Sequence, residues 1–143
     1  MIRVLVVDDH TVLRDGLRYL LEAHGDIKIV GMASNGQEAV EQASQSCPDV
    51  ILMDISMPVM NGIEATRHIC EICANTKVAI LSMHHTAEYM QRALEAGAVG
   101  YLLKDSAGAE LVAAIRAIHG GKRYLSQEVA KSLGENSIWR NGN

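Results

Sequence analysis

Four short aliphatic runs, each ending on a polar residue suited to phosphate or metal, constrain this chain more than any other feature. Val4-Leu5-Val6-Val7 ends at Asp8-Asp9, Val50-Ile51-Leu52-Met53 at Asp54, Val78-Ala79-Ile80-Leu81 at Ser82, and Gly100-Tyr101-Leu102-Leu103 at Lys104. The segments between the runs carry helical periodicity. Aliphatic strands alternating with helices imply a parallel sheet covered on both faces, with ligands held at the carboxyl ends of the strands. Three carboxylates, a hydroxyl and an ammonium should therefore meet at one edge.

The helices and their limits follow from spacing. Leu13, Leu17, Leu20 and Leu21 make one apolar stripe, with Thr11 as the expected cap. Ile27-Lys28-Ile29-Val30 reads as a strand, and its lysine suits the sheet edge. Asn35 with Glu38, and Asn61 with Glu64, have the offset of a capping box and open the second and third helices. Ala65, Ile69 and Ile72 give the third helix its inner face, Met90, Ala93 and Leu94 the fourth, and Leu111, Ile115 and Ile118 the fifth. Gly97 terminates the fourth. Strand and helix thus alternate five times, ending near His119. With right-handed crossovers and an edge-type second strand, the strand order 2-1-3-4-5 fits best, which places Asp8, Asp9 and Asp54 side by side where the winding reverses.

Composition sets the outer bounds. A chain of 143 residues with 48% hydrophobic content supports one domain with a substantial core. Its formal charge of −4 argues against binding nucleic acid by bulk electrostatics. No apolar stretch approaches the ~20 residues of a membrane span, and Met1-Ile2-Arg3 leads directly into a strand, so a cytoplasmic protein without a membrane contact is expected. The three cysteines fit reduced thiols. Cys70 and Cys73, with His68 nearby, have C-x-x-C spacing, but without a second ligand pair they read as partly buried structural thiols.

Clustered carboxylates disfavour one another's ionisation, so three of them call for a proton or a cation. Magnesium is the hard, oxygen-seeking ion that such groups hold, usually together with phosphate oxygens. Phosphoryl transfer needs mainly positioning and charge neutralisation, which magnesium, a lysine and a hydroxyl can share. Asp54 stands alone at its strand end whereas Asp8 and Asp9 are adjacent, which makes Asp54 the candidate nucleophile for an aspartyl phosphate.

Val6-Val7-Asp8-Asp9-His10, Asp54-Ile55-Ser56-Met57-Pro58-Val59-Met60-Asn61-Gly62, Ser82 and Gly97-Ala98-Val99-Gly100-Tyr101-Leu102-Leu103-Lys104 together resemble the receiver domain of a bacterial two-component response regulator. The resemblance spans residues 2 to about 120. It implies an α/β, flavodoxin-like (βα)5 fold with a receiver at 1–120 and a linker at 121–143. It further implies a signalling switch rather than an enzyme, in which Asp54 takes a phosphoryl group from a sensor histidine kinase. Asp8, Asp9, Asp54 and the backbone carbonyl of Ser56 would hold Mg2+. Ser82 and Lys104 would bind the phosphoryl group, and Tyr101 matches the aromatic ring that turns inward on activation. His84 occupies a position that tunes loss of the phosphoryl group in the family, though a solvent-facing loop histidine reads equally well. The resemblance leaves two homodimer faces open: the fourth helix, fifth strand and fifth helix, or the first and fifth helices.

Asp105 directly after Lys104, where many receivers have proline, resembles the LuxR-type (NarL/FixJ) subfamily. That subfamily regulates transcription through a helix-turn-helix output domain. Its two further helices with a basic face are not found here, so DNA contact would run through an absent domain. Ser126–Leu133 reads as a short helix, and 137–143 shows no periodicity. A stand-alone receiver acting through protein contacts is the alternative. A haloacid-dehalogenase-like phosphatase would need a second acid where Ser56 stands, and a dinucleotide-binding enzyme a glycine-rich turn in place of Asp8-Asp9-His10.

Overall fold

The computed structural model describes residues 1–55, 57, 60–83, 87–104, 108–126 and 129–130. Six strands, β1 (Ile2–Val7), β2 (Ile27–Ala33), β3 (Val50–Met53), β4 (Lys77–Ser82), β5 (Gly100–Leu103) and β6 (Tyr124–Leu125), form one sheet in the order 2-1-3-4-5-6. All pairings are parallel. The helices between the strands are α1 (Thr11–Glu22), α2 (Gly36–Ser46), α3 (Gly62–Ile72), α4 (Ala87–Ala96) and α5 (Gly108–His119). Among the described residues no helix is long and apolar enough to cross a membrane.

Side chains alternate across each strand, so the sheet supplies two cores. Leu5, Val7, Ile51, Met53, Val78, Ile80, Tyr101 and Leu103 pack against α2, α3 and α4. Val4, Val6, Val50, Leu52, Ala79, Leu81 and Leu102 pack against α1 and α5. β3 is buried along its whole length, as a strand covered on both faces must be. β2 pairs only with β1, and its exposed Lys28 marks the sheet edge as the sequence predicts.

The expected five strands become six. After α5 the chain turns at Gly120-Gly121 and lays Tyr124 and Leu125 beside Gly100 and Tyr101. β6 has only two residues and therefore lacks the length that makes a strand legible in sequence. Its consequence is local: Tyr101 now has a strand on both sides, and its carbonyl accepts from Ser126 N–H at 3.2 Å.

Helix ends agree with the expected caps at two places and differ at one. Asn35 and Asn61 each accept from the backbone N–H three residues on, Glu38 and Glu64, both at 2.9 Å. Glu38 reaches back to the N–H and hydroxyl of Ser34, and these hydrogen bonds hold its carboxyl below the usual range. For α1 the cap position falls on His10, and Thr11 is already helical. α3 buries Ala65 and Ile69 as expected but leaves Ile72 half exposed, and Ile63, Thr66 and Cys73 complete its inner face. The inner stripe runs through Ala65, Ile69 and Cys73 at four-residue spacing, and Ile72 falls on its solvent side. α4 ends in a Schellman pattern: Gly97, at φ +112°, donates to Leu94 O and Ala98 donates to Ala93 O, both at 3.0 Å.

Gly62 starts α3 directly over the end of β3, and its N–H donates to Ile55 O at 2.9 Å. A Cβ at this position would collide with the carbonyl oxygen of Asp54, a backbone atom that cannot swing aside. Gly62→Ala should therefore destabilise the fold by about 1–3 kcal/mol. Urea denaturation checks this, and an unchanged midpoint would show that the approach of α3 to β3 is looser than described.

Candidate functional site

Backbone hydrogen bonds extend the sheet one residue past each strand, and these residues form the site. Asp8 N–H donates to Ala33 O at 3.0 Å, Asp54 N–H to Val7 O at 3.0 Å, and Lys104 N–H to Ser82 O at 2.8 Å. Register and not loop conformation thus fixes where the acids and the lysine stand. Asp8, Asp54 and Ser82 are buried, at 1%, 3% and 1% exposure, while Asp9 lies at the surface.

Lys104 Nζ lies 2.8 Å from Asp8 Oδ2 and 3.2 Å from Asp54 Oδ2, with its side chain only 7% exposed. Burial pulls the ammonium down, but its hydrogen bond to Asp8 and the charges of Asp54 and Asp8 outweigh that and hold it above its usual value. One ammonium against three carboxylates still leaves an excess of negative charge. The other oxygen of Asp8 accepts from the N–H of His10 at 2.8 Å, which fixes the carboxylate in place.

His10 is a site residue that strand-end reasoning missed. Its Nδ1 lies 2.9 Å from Asp8 Oδ1 and 3.2 Å from Asp9 Oδ1, and its ring is mostly exposed. Its position immediately after two acids was the available signal. Among the described residues, Asp8, Asp9, His10 and Asp54 offer ligand atoms all within 4.8 Å of one another. Three of the four donors are carboxylate oxygens, the donor type a hard divalent cation such as magnesium selects. The residues present therefore fit the ion. A cleft of roughly 360 Å³ lined by His10, Leu13, Met83 and Lys104 opens beside the acids.

Ser82 ends β4 and is hydrogen-bonded to Tyr101, whose side chain is 1% exposed. Burial drives the Tyr101 phenol up to about 12 despite that hydrogen bond. The structure thus brings together Asp8, Asp9, Asp54 and Lys104 at one sheet edge and joins Ser82 to Tyr101 beside them. Ser56 and His84, expected to supply a metal ligand and to tune phosphoryl loss, lie outside the described residues.

A sequence model of the response regulator receiver domain matches residues 4–116, and the chain belongs to that family. Within it, the similarity runs to LuxR-type regulators. The chain is 42% identical over 138 residues to the response regulator UvrY of Escherichia coli, covering 96% of this chain and 63% of UvrY. It is 43% identical over 145 residues to the transcriptional regulatory protein LiaR of Bacillus subtilis, covering 96% of this chain and 69% of LiaR. The crystal structure of a LuxR-family two-component response regulator from Aurantimonas superposes with a TM-score of 0.87 at 39% identity, covering 92% of this chain and 94% of that one. The chain thus spans a little under two thirds of the length of UvrY.

Proposed function

We propose that this receiver accepts a phosphoryl group on Asp54 from a phosphohistidine of a sensor kinase. The single observation that carries the reading is the placement of buried Asp54 beside Asp8 at the carboxyl end of the sheet, with Lys104 bridging the two. An oxygen of Asp54 would attack phosphorus as the bond from phosphorus to the imidazole nitrogen breaks, leaving an acyl phosphate on the aspartate. Asp8, Asp9 and Asp54, with the carbonyl of Ser56, would hold Mg2+, which when bound would neutralise charge on the transferring group. His10 would swing out of the acid cluster, which its exposure permits.

Lys104 now bridges two carboxylates, and a phosphoryl group on one of them offers it a stronger partner. Ser82 would donate to a phosphoryl oxygen, and the inward Tyr101 bonded to it supports a coupled switch that reads out on the α4-β5-α5 face. A homodimer through that face or through α1 and α5 would follow. Residues 1–120 serve as the receiver and the following stretch begins the connection to an output domain, with β6 drawing the first part of that connection into the sheet. The greater length of UvrY and the role of LiaR as a transcriptional regulatory protein support a DNA-binding output and transcription regulation, which would take place in the cytoplasm. His84 would tune how fast water removes the phosphoryl group.

Incubation with a small acyl phosphate or phosphoramidate tests the reading. Intact mass should rise by about 80 Da with Mg2+ and stay constant when the ion is chelated. No gain with donor and Mg2+ together would end it.

A further inference from the structure

The cysteines were expected to be reduced, and Cys70 and Cys73 to be partly buried structural thiols despite their C-x-x-C spacing. The structure pairs Cys73 with a different partner. Cys73 Sγ lies 2.6 Å from Cys47 Sγ, although the two residues are 26 apart in sequence. Cys70 instead faces Gly97 O at 3.8 Å. Two unbonded sulfurs do not ordinarily rest so close, and only about half an ångström of closure separates these from the ~2.05 Å of a disulfide.

Both residues are helix C-caps, and the backbone around them is held. Cys47 ends α2 at φ 38° and ψ 68°, a left-handed conformation that glycine or asparagine usually fills. Arg3 clamps this turn through the carbonyls of Ser46 and Cys47, at 3.0 and 3.2 Å. Cys73 ends α3, and its Sγ donates to Ala43 O in α2 at 3.2 Å. The chain after each cysteine is tied to the other: Thr76 Oγ1 donates to Pro48 O at 2.7 Å and Lys77 N–H to Asp49 O at 3.0 Å. The sulfurs can therefore bond without moving either helix.

We propose that Cys47 and Cys73 are a redox modification site that closes to an intramolecular disulfide on exposure to a peroxide. Cys47 is exposed and Cys73 buried, so the oxidant reaches Cys47 first. Burial, reinforced by the adjoining Cys47, also pushes the Cys73 thiol up, which disfavours it as the attacking thiolate. The Cys47 thiolate attacks one peroxide oxygen, the O–O bond breaks, and a sulfenic acid forms. Cys73 sulfur then displaces that hydroxyl as water. Two thiols lose two electrons and two protons, and one peroxide becomes two waters. The bond joins the C-terminal ends of α2 and α3, on the side of the sheet where β3 and β4 begin, whereas Asp54 follows the other end of β3. Phosphoryl uptake should therefore stay within about twofold while the fold gains stability.

Native 143-residue chain is treated with hydrogen peroxide and followed by maleimide labelling, intact mass, peptide mapping and melting, beside Cys47→Ser, Cys73→Ser and Cys70→Ser variants. Thiols labelled after unfolding the quenched protein should fall from three to one. Mass should drop by about 2 Da, and a linked Cys47–Cys73 peptide should appear. Tm should rise by roughly 5–15 °C and return with dithiothreitol. Cys70→Ser should close the same bond, and neither of the other variants should. Three surviving thiols, oxygen addition without linkage, a Cys70–Cys73 or interchain link, or equally fast closure in denaturant would each overturn the proposal.

Discussion

Asp54→Asn should take up no phosphoryl group: the gain of about 80 Da expected of the wild-type chain should be absent, with transfer at least roughly a thousandfold slower. Asparagine keeps the shape of the side chain and its place behind Val7 O, since that contact uses the backbone N–H. What it removes is the anionic oxygen proposed to attack phosphorus. The neighbouring acids are poor substitutes. Asp8 is 1% exposed and engaged by His10 and Lys104, and Asp9 sits outside the ladder at the surface. The fold should not suffer, because losing one of three crowded negative charges relieves repulsion that Lys104 only partly offsets. A melting temperature at or above that of the wild type, with no mass gain, separates loss of the nucleophile from loss of structure. Wild-type labelling of the variant would move the acceptor to another residue, and mapping the labelled peptide would identify it.

How far the sequence carried this picture depends on the scale of the signal. Strands buried on both faces are continuous aliphatic runs, so β1, β3, β4 and β5 and the residues that end them were legible, and with them the juxtaposition of Asp8, Asp54 and Lys104. Capping asparagines act over three residues and were legible for the same reason: the chemistry is local. β6 was not, because two residues have no period and their pairing depends on how α5 delivers them. His10 was missed because it acts sideways on acids within its own turn instead of ending a strand. Cys47 with Cys73 was illegible in principle. Only the packing of α2 beside α3 brings residues so distant in sequence together, whereas the C-x-x-C spacing pointed to the wrong neighbour.

Removing the Lys104 ammonium should expose how the acid cluster is held together. Lys104→Met keeps length and apolar stem but strips the contacts of 2.8 Å to Asp8 and 3.2 Å to Asp54. A buried ion pair adds little net stability, yet breaking it strands the remaining charges, and here two buried carboxylates would be left facing each other. In chelator at neutral pH the variant should lose about 3 kcal/mol, measured by urea denaturation. The sign of the pH dependence follows from the direction of the lysine shift. Lys104 is held above its ordinary value in the folded chain, so its contribution is complete below the unfolded pKa of about 10.4 and fades as pH climbs through the folded one. The gap between wild type and variant should accordingly be level from pH 7 to about 10 and narrow above it. Mg2+ should close much of the gap at neutral pH, because an ion held by Asp8 and Asp54 would neutralise the carboxylates that Lys104 neutralises in the wild type. The variant should therefore gain more from Mg2+ than the wild type does. Equal stability in chelator, or an identical Mg2+ increment in both proteins, would mean that Lys104 and the cation do not share Asp8 and Asp54.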